Sequence, residues 1–115
     1  MPHDDEIILD IVSAARDIVE AVSDRSIDDF LDDWLVNAAV TQRLLVIGEA
    51  CKQLSPEFRM AHPEVDWGVL ARTRDKLIHH YRRVDLQEVW EIASQDVPHL
   101  ISSLEPLAPR AENDP

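Results

Sequence analysis

Between residues 5 and 24, apolar positions return every three or four residues, at Ile8, Ile11, Ala15, Ile18 and Val22, with Asp and Glu between them. That spacing lays one apolar stripe along a helix and sets its acids on the opposite side. Ser26, followed by Asp28 and Asp29, reads as a fresh helix start. A serine side chain accepts from the free N–H groups of a first turn, and anions favour the positive end of the helix dipole. A second, proline-free pattern then runs to about Leu54 through Leu31, Trp34, Leu35, Ala38, Leu45, Gly48 and Cys51. Asp32-Asp33 can recap it and split off its first turn. Ser55-Pro56-Glu57 couples a cap to proline at the first helical position, and Pro63 must end that short helix near Ala61. Asp66 caps a further helix through Trp67, Leu70, Leu77 and Ile78. Asp85 to Glu88 forms a capping-box variant that opens the last helix, with the stripe Leu86, Val89, Trp90, Ala93, Val97, Leu100, Ile101 and Leu104. Pro98 lies inside that stripe and predicts a bend or a gap in its hydrogen bonds. Residues 106–115 read as a flexible C-terminal tail. The pattern predicts an all-α protein: one domain over residues 1–105, an antiparallel bundle of four main helices plus a short one.

Composition agrees with helices. The 115 residues include only two Gly and one Tyr and are 45% hydrophobic and 30% charged, as expected of a folded globular chain. No apolar run approaches the roughly 20 residues that cross a bilayer, and no signal-peptide pattern opens the chain, so a cytoplasmic protein with no membrane contact is expected. The lone Cys51 has no intrachain disulfide partner, fits a reducing compartment and reads as a small core residue. A formal net charge of −12 argues against broad nucleic-acid binding, because the summed field repels polyanions. Any RNA contact must be local. Eleven acids fall within residues 1–33, against Arg16 and Arg25, as a solvated face or as a dock for a basic partner.

One segment reverses this character. Residues 72–83 read Arg-Thr-Arg-Asp-Lys-Leu-Ile-His-His-Tyr-Arg-Arg and hold five of the eleven Lys/Arg residues, two of the five His, the only Tyr and a single acid, Asp75. Guanidinium forks and imidazoles are the groups that grip phosphate and move protons near neutral pH. Placed on a helix, Trp67, Leu70, Arg74, Leu77 and Tyr81 share one seam. Arg74 thus stands where the pattern asks for an apolar side chain. A buried guanidinium must be paired, for which Glu49 is the best candidate, or must face a cleft or subunit interface. His79, five residues on, would lie roughly 140° round and about 7.5 Å along an ideal helix, too far to share a small ligand with Arg74. The two converge only if the helix ends within about two residues of His79. A phosphate site and a helix-end charge cluster both fit these residues. His79, His80 and His99 lack metal-ligand spacing, and there is no Gly-rich phosphate loop, so neither metal nor cofactor is expected.

Arg74-Asp75-Lys76-Leu77-Ile78-His79-His80-Tyr81 reads R-x4-H-x-Y, and it resembles the signature of the HepT-like toxins of the HEPN superfamily. Ile47-Gly48-Glu49-Ala50, Val65-Asp66-Trp67, Val84-Asp85 with Val89-Trp90, and Val97-Pro98-His99-Leu100 resemble that family's layout in order and spacing. This chain carries Asp75 where the family often has Asn. The resemblance implies a HEPN-like helical homodimer acting as a metal-independent endoribonuclease toxin of a type VII-like toxin–antitoxin system. It implies Arg74 and His79 as catalytic residues. It also implies a minimal nucleotidyltransferase antitoxin that transfers AMP onto Tyr81. Lys76, His80, Arg82 and Arg83 would be auxiliary phosphate contacts. The chemistry is consistent with that reading. RNA cleavage without metal needs an acid, a base and positive charge on the phosphate, and a two-fold dimer supplies the second histidine. A reading from another class is a non-catalytic dimeric module that holds nucleotide or the nucleotidyltransferase, and a third is a purely structural bundle in which Arg74 pairs with Glu49.

Overall fold

The computed structural model of the chain describes residues 2–79 and 83–109, apart from the side chains of Pro2, Val69 and His79. Its helices are α1 (Pro2–Val22), α2 (Ile27–Asp32), α3 (Trp34–Gln53), α4 (Pro56–Ala61), α5 (Trp67–His79), α6 (Leu86–Glu91) and α7 (Val97–Leu104). No described residue lies in a β-strand. The fold is all-α, as the periodicity predicts. None of its described helices is long and apolar enough to cross a membrane.

The helix ends follow local chemistry. Ser26 Oγ accepts from the Asp29 N–H at 3.1 Å while the Asp29 carboxylate accepts from the Ser26 N–H at 3.3 Å, a complete capping box. Asp33 does recap the chain, its Oδ1 accepting from the Val36 N–H at 3.2 Å, so the predicted long helix is split into α2 and α3. Buried Asn37 secures that corner by donating to the Phe30 carbonyl at 3.3 Å. Ser55 Oγ caps α4 by accepting from the Phe58 N–H, and Asp85 accepts from Gln87 and Glu88 at the start of α6. Pro98 acts one turn upstream of itself. Its missing N–H and its ring cannot follow the regular ladder, and residues Ile92–Asp96 widen into a π-turn, with the Val97 N–H donating to the Ile92 carbonyl. The rod α6–π–α7 thus continues without a break in direction of chain.

Helix α3 lies between α1 and α5, and α7 packs on α1. Ile8, Ile11, Ala15 and Ile18 of α1 meet Val40, Leu44, Ile47 and Cys51 of α3 and Val89, Ala93, Val97, Leu100 and Leu104 of the last rod. Fully buried Phe30 brings α2 onto this core and stacks at an angle on Trp90, ring centroids 5.3 Å apart. Cys51 is buried and its thiol is pushed up to about 12 by desolvation, so it stays a protonated core residue.

One expectation changes. On α3 the buried seam is Asn37, Val40, Leu44, Ile47, Gly48 and Cys51, whereas Trp34, Leu35 and Ala38, like Leu31 of α2, are exposed, Trp34 at 71%. The break at Asp33 sets the register of α3 anew, and a helix apolar on several sides does not declare which side faces inward. At the C-terminus, Glu105–Leu107 form a 3₁₀ turn, and Leu107 and Ala108 rest against the core. Packing against the core is thus seen as far as Ala108 among the described residues.

Candidate functional site

The cationic segment lies on the second half of α5, where α5 crosses α3 at Gly48. A Cβ on Gly48 would sit 2.1 Å from Arg74 Cβ, 2.9 Å from Arg74 Cγ and 3.0 Å from the Leu70 carbonyl oxygen. No side chain fits there. Glycine is what lets the two helices touch, with the stem of Arg74 lying directly over the α3 backbone. Leu77 is buried beside this crossing and fixes the rotation of α5.

Held in this way, the Arg74 guanidinium projects along α3 and is 26% exposed. Its Nη2 donates to Glu49 Oε2 at 2.8 Å and its Nη1 to Asp75 Oδ1 at 3.1 Å. Asp75 Oδ1 also accepts from Lys52 Nζ. These hydrogen bonds, Lys52's first and Arg74's next, hold the Asp75 carboxyl below its ordinary value. The predicted Arg74–Glu49 pair thus forms, but it is not sealed: the Glu49 side chain is 48% exposed and the pair lines an open cleft of about 530 Å³. The cleft lies between α1, α3 and α5. Leu45, Val46, Ala50 and Ile78 supply its apolar wall, and Asp10, Asp17 and Arg43 its far rim. Arg43 is tied there to Asp17, Nε to Oδ2 at 3.0 Å. Ile78, one turn beyond Arg74, leaves 40% of its surface exposed.

The remaining candidates fall in three groups. α5 is described as far as His79, and Arg83 lies in 3₁₀ geometry. The His79 side chain, and His80, Tyr81 and Arg82 entirely, lie outside the described residues. Lys76 is directed elsewhere. Its Nζ donates to both carboxylate oxygens of Glu88 at 2.9 Å, tying α5 to α6 beside a small cavity that Arg83 also lines. The structure therefore places Arg74 and Glu49 at one cleft, with Asp75 bonded to Arg74 beside it, and leaves Lys76 and Arg83 at another. Lys52 was not singled out by the sequence; its only signal is that it follows Gly48 by one helical turn. Among the described residues, no three His, Cys, Asp or Glu side chains converge as metal ligands would.

The chain matches the family model described as "Ribonuclease HepT-like" over residues 4–107. It is 37% identical over 116 residues to a Methanocaldococcus jannaschii protein named "Putative RNase", covering 99% of this chain and 96% of that one. It is 40% identical over 98 residues to a Thermococcus cleftensis protein named "Probable ribonuclease HepT", covering 85% of this chain and 89% of the relative. No solved structure matches it. With the family model spanning nearly every described residue and relatives this similar along most of their length, this chain belongs to the HepT-like ribonuclease family.

Proposed function

We propose that this chain is a metal-independent endoribonuclease working as a homodimer, the toxin of a type VII-like toxin–antitoxin pair. The observation that carries the reading is Arg74: a partly exposed side chain, rigidly mounted on the Gly48 crossing, facing an open cleft five residues before His79. Both relatives reported above bear ribonuclease names, which supports RNA as the substrate. Arg74 holds the scissile phosphate and offsets the charge that builds on its oxygens as the 2′-oxygen attacks. His79 takes the 2′-OH proton, and the phosphorus–5′-oxygen bond breaks as an acid protonates the leaving oxygen. The products are a 2′,3′-cyclic phosphate and a 5′-hydroxyl. Imidazole, ordinarily titrating near pH 6.5, suits both roles, and the His79 of a second copy provides the other one.

The dimer has support on α3. Its exposed apolar side runs from Trp34 and Leu35 through Ala38 to Leu45 and Val46 at the cleft wall, where Ile78 continues it. A face of this kind marks an interaction surface, and a two-fold contact along it brings two clefts together. Control is by a minimal nucleotidyltransferase antitoxin, which transfers AMP from ATP onto the Tyr81 hydroxyl and releases pyrophosphate. Two residues from His79, the added phosphate and adenosine obstruct the site and repel RNA.

The test is cleavage of total tRNA in EDTA by wild type, by His79→Ala, and by protein treated with the nucleotidyltransferase and ATP. Wild type cuts; the mutant keeps its dimer and does not; the treated protein gains mass in AMP units at Tyr81 and stops cutting. Cleavage surviving in His79→Ala removes that residue from the mechanism. One observation favours the second reading, a non-catalytic module: Arg74 is already shared by two carboxylates. Clean, unmodified dimer that binds RNA without cutting it would establish that reading.

A further inference from the structure

Asp75 is the one acid in the cationic segment, and it sits in direct contact with the group that must attract phosphate. Arg74 has one positive charge and two carboxylates upon it, Glu49 at 2.8 Å and Asp75 at 3.1 Å. Those three groups alone sum to a net negative site within a chain of net charge −12. A phosphodiester approaching such a site is repelled, however well the guanidinium is aimed. Lys52 brings that sum to zero. One turn after Gly48 on α3, it reaches across the helix crossing and donates to the same Asp75 oxygen that Arg74 holds. Lys52 and Asp75 are 38% and 43% exposed, so the pair contributes little to folding. Its position beside Arg74 gives it another use.

We propose that Lys52 is a positioning residue for RNA at this cleft: its ammonium cancels the Asp75 charge and clamps that carboxylate onto Arg74 Nη1, leaving the other edge of the fork, at Glu49, as the edge a phosphate takes. The proposal rests on the ribonuclease reading of the cleft. Phosphate displaces Glu49, whose side chain is the more exposed of the two carboxylates and which, among the described residues, has no second cation upon it. Asp75, held from α3 by Lys52, keeps the guanidinium plane in place while the exchange occurs. Glu49 and Lys52 follow Gly48 on α3, one position and one turn later, so the same close crossing that seats the Arg74 stem also sets both of its electrostatic neighbours.

The experiment is a double-mutant cycle on the full chain with Lys52→Met, Asp75→Asn and the pair together. Asparagine retains an oxygen that accepts from Arg74 and removes only the charge. Each protein is read for tRNA cleavage, for binding of a short labelled single-stranded RNA by fluorescence anisotropy, and for its melting temperature. In the wild-type background, Lys52→Met lowers kcat/KM and RNA affinity roughly tenfold at low salt, the effect of one uncovered charge near the phosphate. Raising salt to about 1 M, where the screening length falls to about 3 Å, shrinks that difference. In the Asp75→Asn background the same lysine replacement changes either quantity by less than about threefold. The melting temperature of Lys52→Met stays within a few degrees of wild type throughout.

A Lys52→Met protein that binds and cuts within twofold of wild type overturns the proposal. So does a loss of equal size in both backgrounds, or one that salt does not alter, since a merely structural lysine would give those. The reading on which it rests fails separately: wild type that binds RNA without cutting it loses the ribonuclease reading, while the anisotropy cycle still decides the role of Lys52. Wild type that neither cuts nor binds removes the phosphate seat and the proposal with it.

Discussion

Replacing Gly48 by alanine isolates the contact on which the site is built. In an isolated helix this substitution stabilises by about 1 kcal/mol, because glycine loses the most backbone freedom on folding. Here the new methyl would lie 2.1 Å from Arg74 Cβ and 3.0 Å from the Leu70 carbonyl oxygen. Carbon atoms pack at about 3.5–4.0 Å, so α3 and α5 must separate locally by roughly 1.5 Å. Neither neighbour is the loose end of a side chain; one is backbone and the other a Cβ. Overpacking of this kind costs about 1–3 kcal/mol, which more than offsets the helix gain and leaves a net loss of up to about 2 kcal/mol. At roughly 4 °C per kcal/mol, the melting temperature falls by at most about 8 °C, and the protein stays folded at 25 °C. Activity suffers far more. A displacement of about 1 Å at a positioned group can cost about a hundredfold in rate, so cleavage drops by roughly that factor. Thermal denaturation by circular dichroism and tRNA cleavage at 25 °C read the two effects separately. A variant that melts above wild type and cuts at the wild-type rate refutes the close crossing and Arg74's dependence on it.

Other perturbations test other joints of the structure. Phe30→Ala empties a fully buried site between α2 and Trp90 and is expected to destabilise by about 3–5 kcal/mol, read as a shift in the urea midpoint with unchanged slope; a loss under about 1 kcal/mol contradicts the packing. Asp4, buried on α1, accepts from Ser55 Oγ at 2.7 Å and the Ser55 N–H at 2.9 Å, and these bonds, the hydroxyl's first, hold its carboxyl below the ordinary value of 3.8. A lowered native pKa means stability that is present above about pH 4 and lost as pH falls through the native value. Asp4→Asn is therefore less stable than wild type at pH 7, and the gap closes in acid; a gap independent of pH would rule out the charge as its source. Glu49→Gln removes the carboxylate that competes with phosphate for Arg74, so RNA affinity rises at low salt while stability moves by less than about 1 kcal/mol. A more than tenfold loss of cleavage in that variant would instead assign Glu49 a part in proton transfer.

The sequence by itself determined where several of the helices begin. Ser26 with Asp29, Asp33, Ser55 with Pro56, and Asp85 each cap within three residues of themselves, and such bonds need nothing from the rest of the chain. It also located the cationic segment and the arginine out of place on an apolar seam, because charge and periodicity are local properties. Only the tertiary structure decided which side of α3 faces inward. With Trp34 and Leu35 on one side and Val40, Leu44 and Ile47 on another, both faces satisfy the helical pattern, and burial against α1 and α5 selects between them. The same holds for the site. Gly48 is separated from Arg74 by 26 positions, and Lys52 from Asp75 by 23, and no spacing rule relates them. Their meeting follows from the angle and depth at which two helices pack, a property of the whole core rather than of either segment.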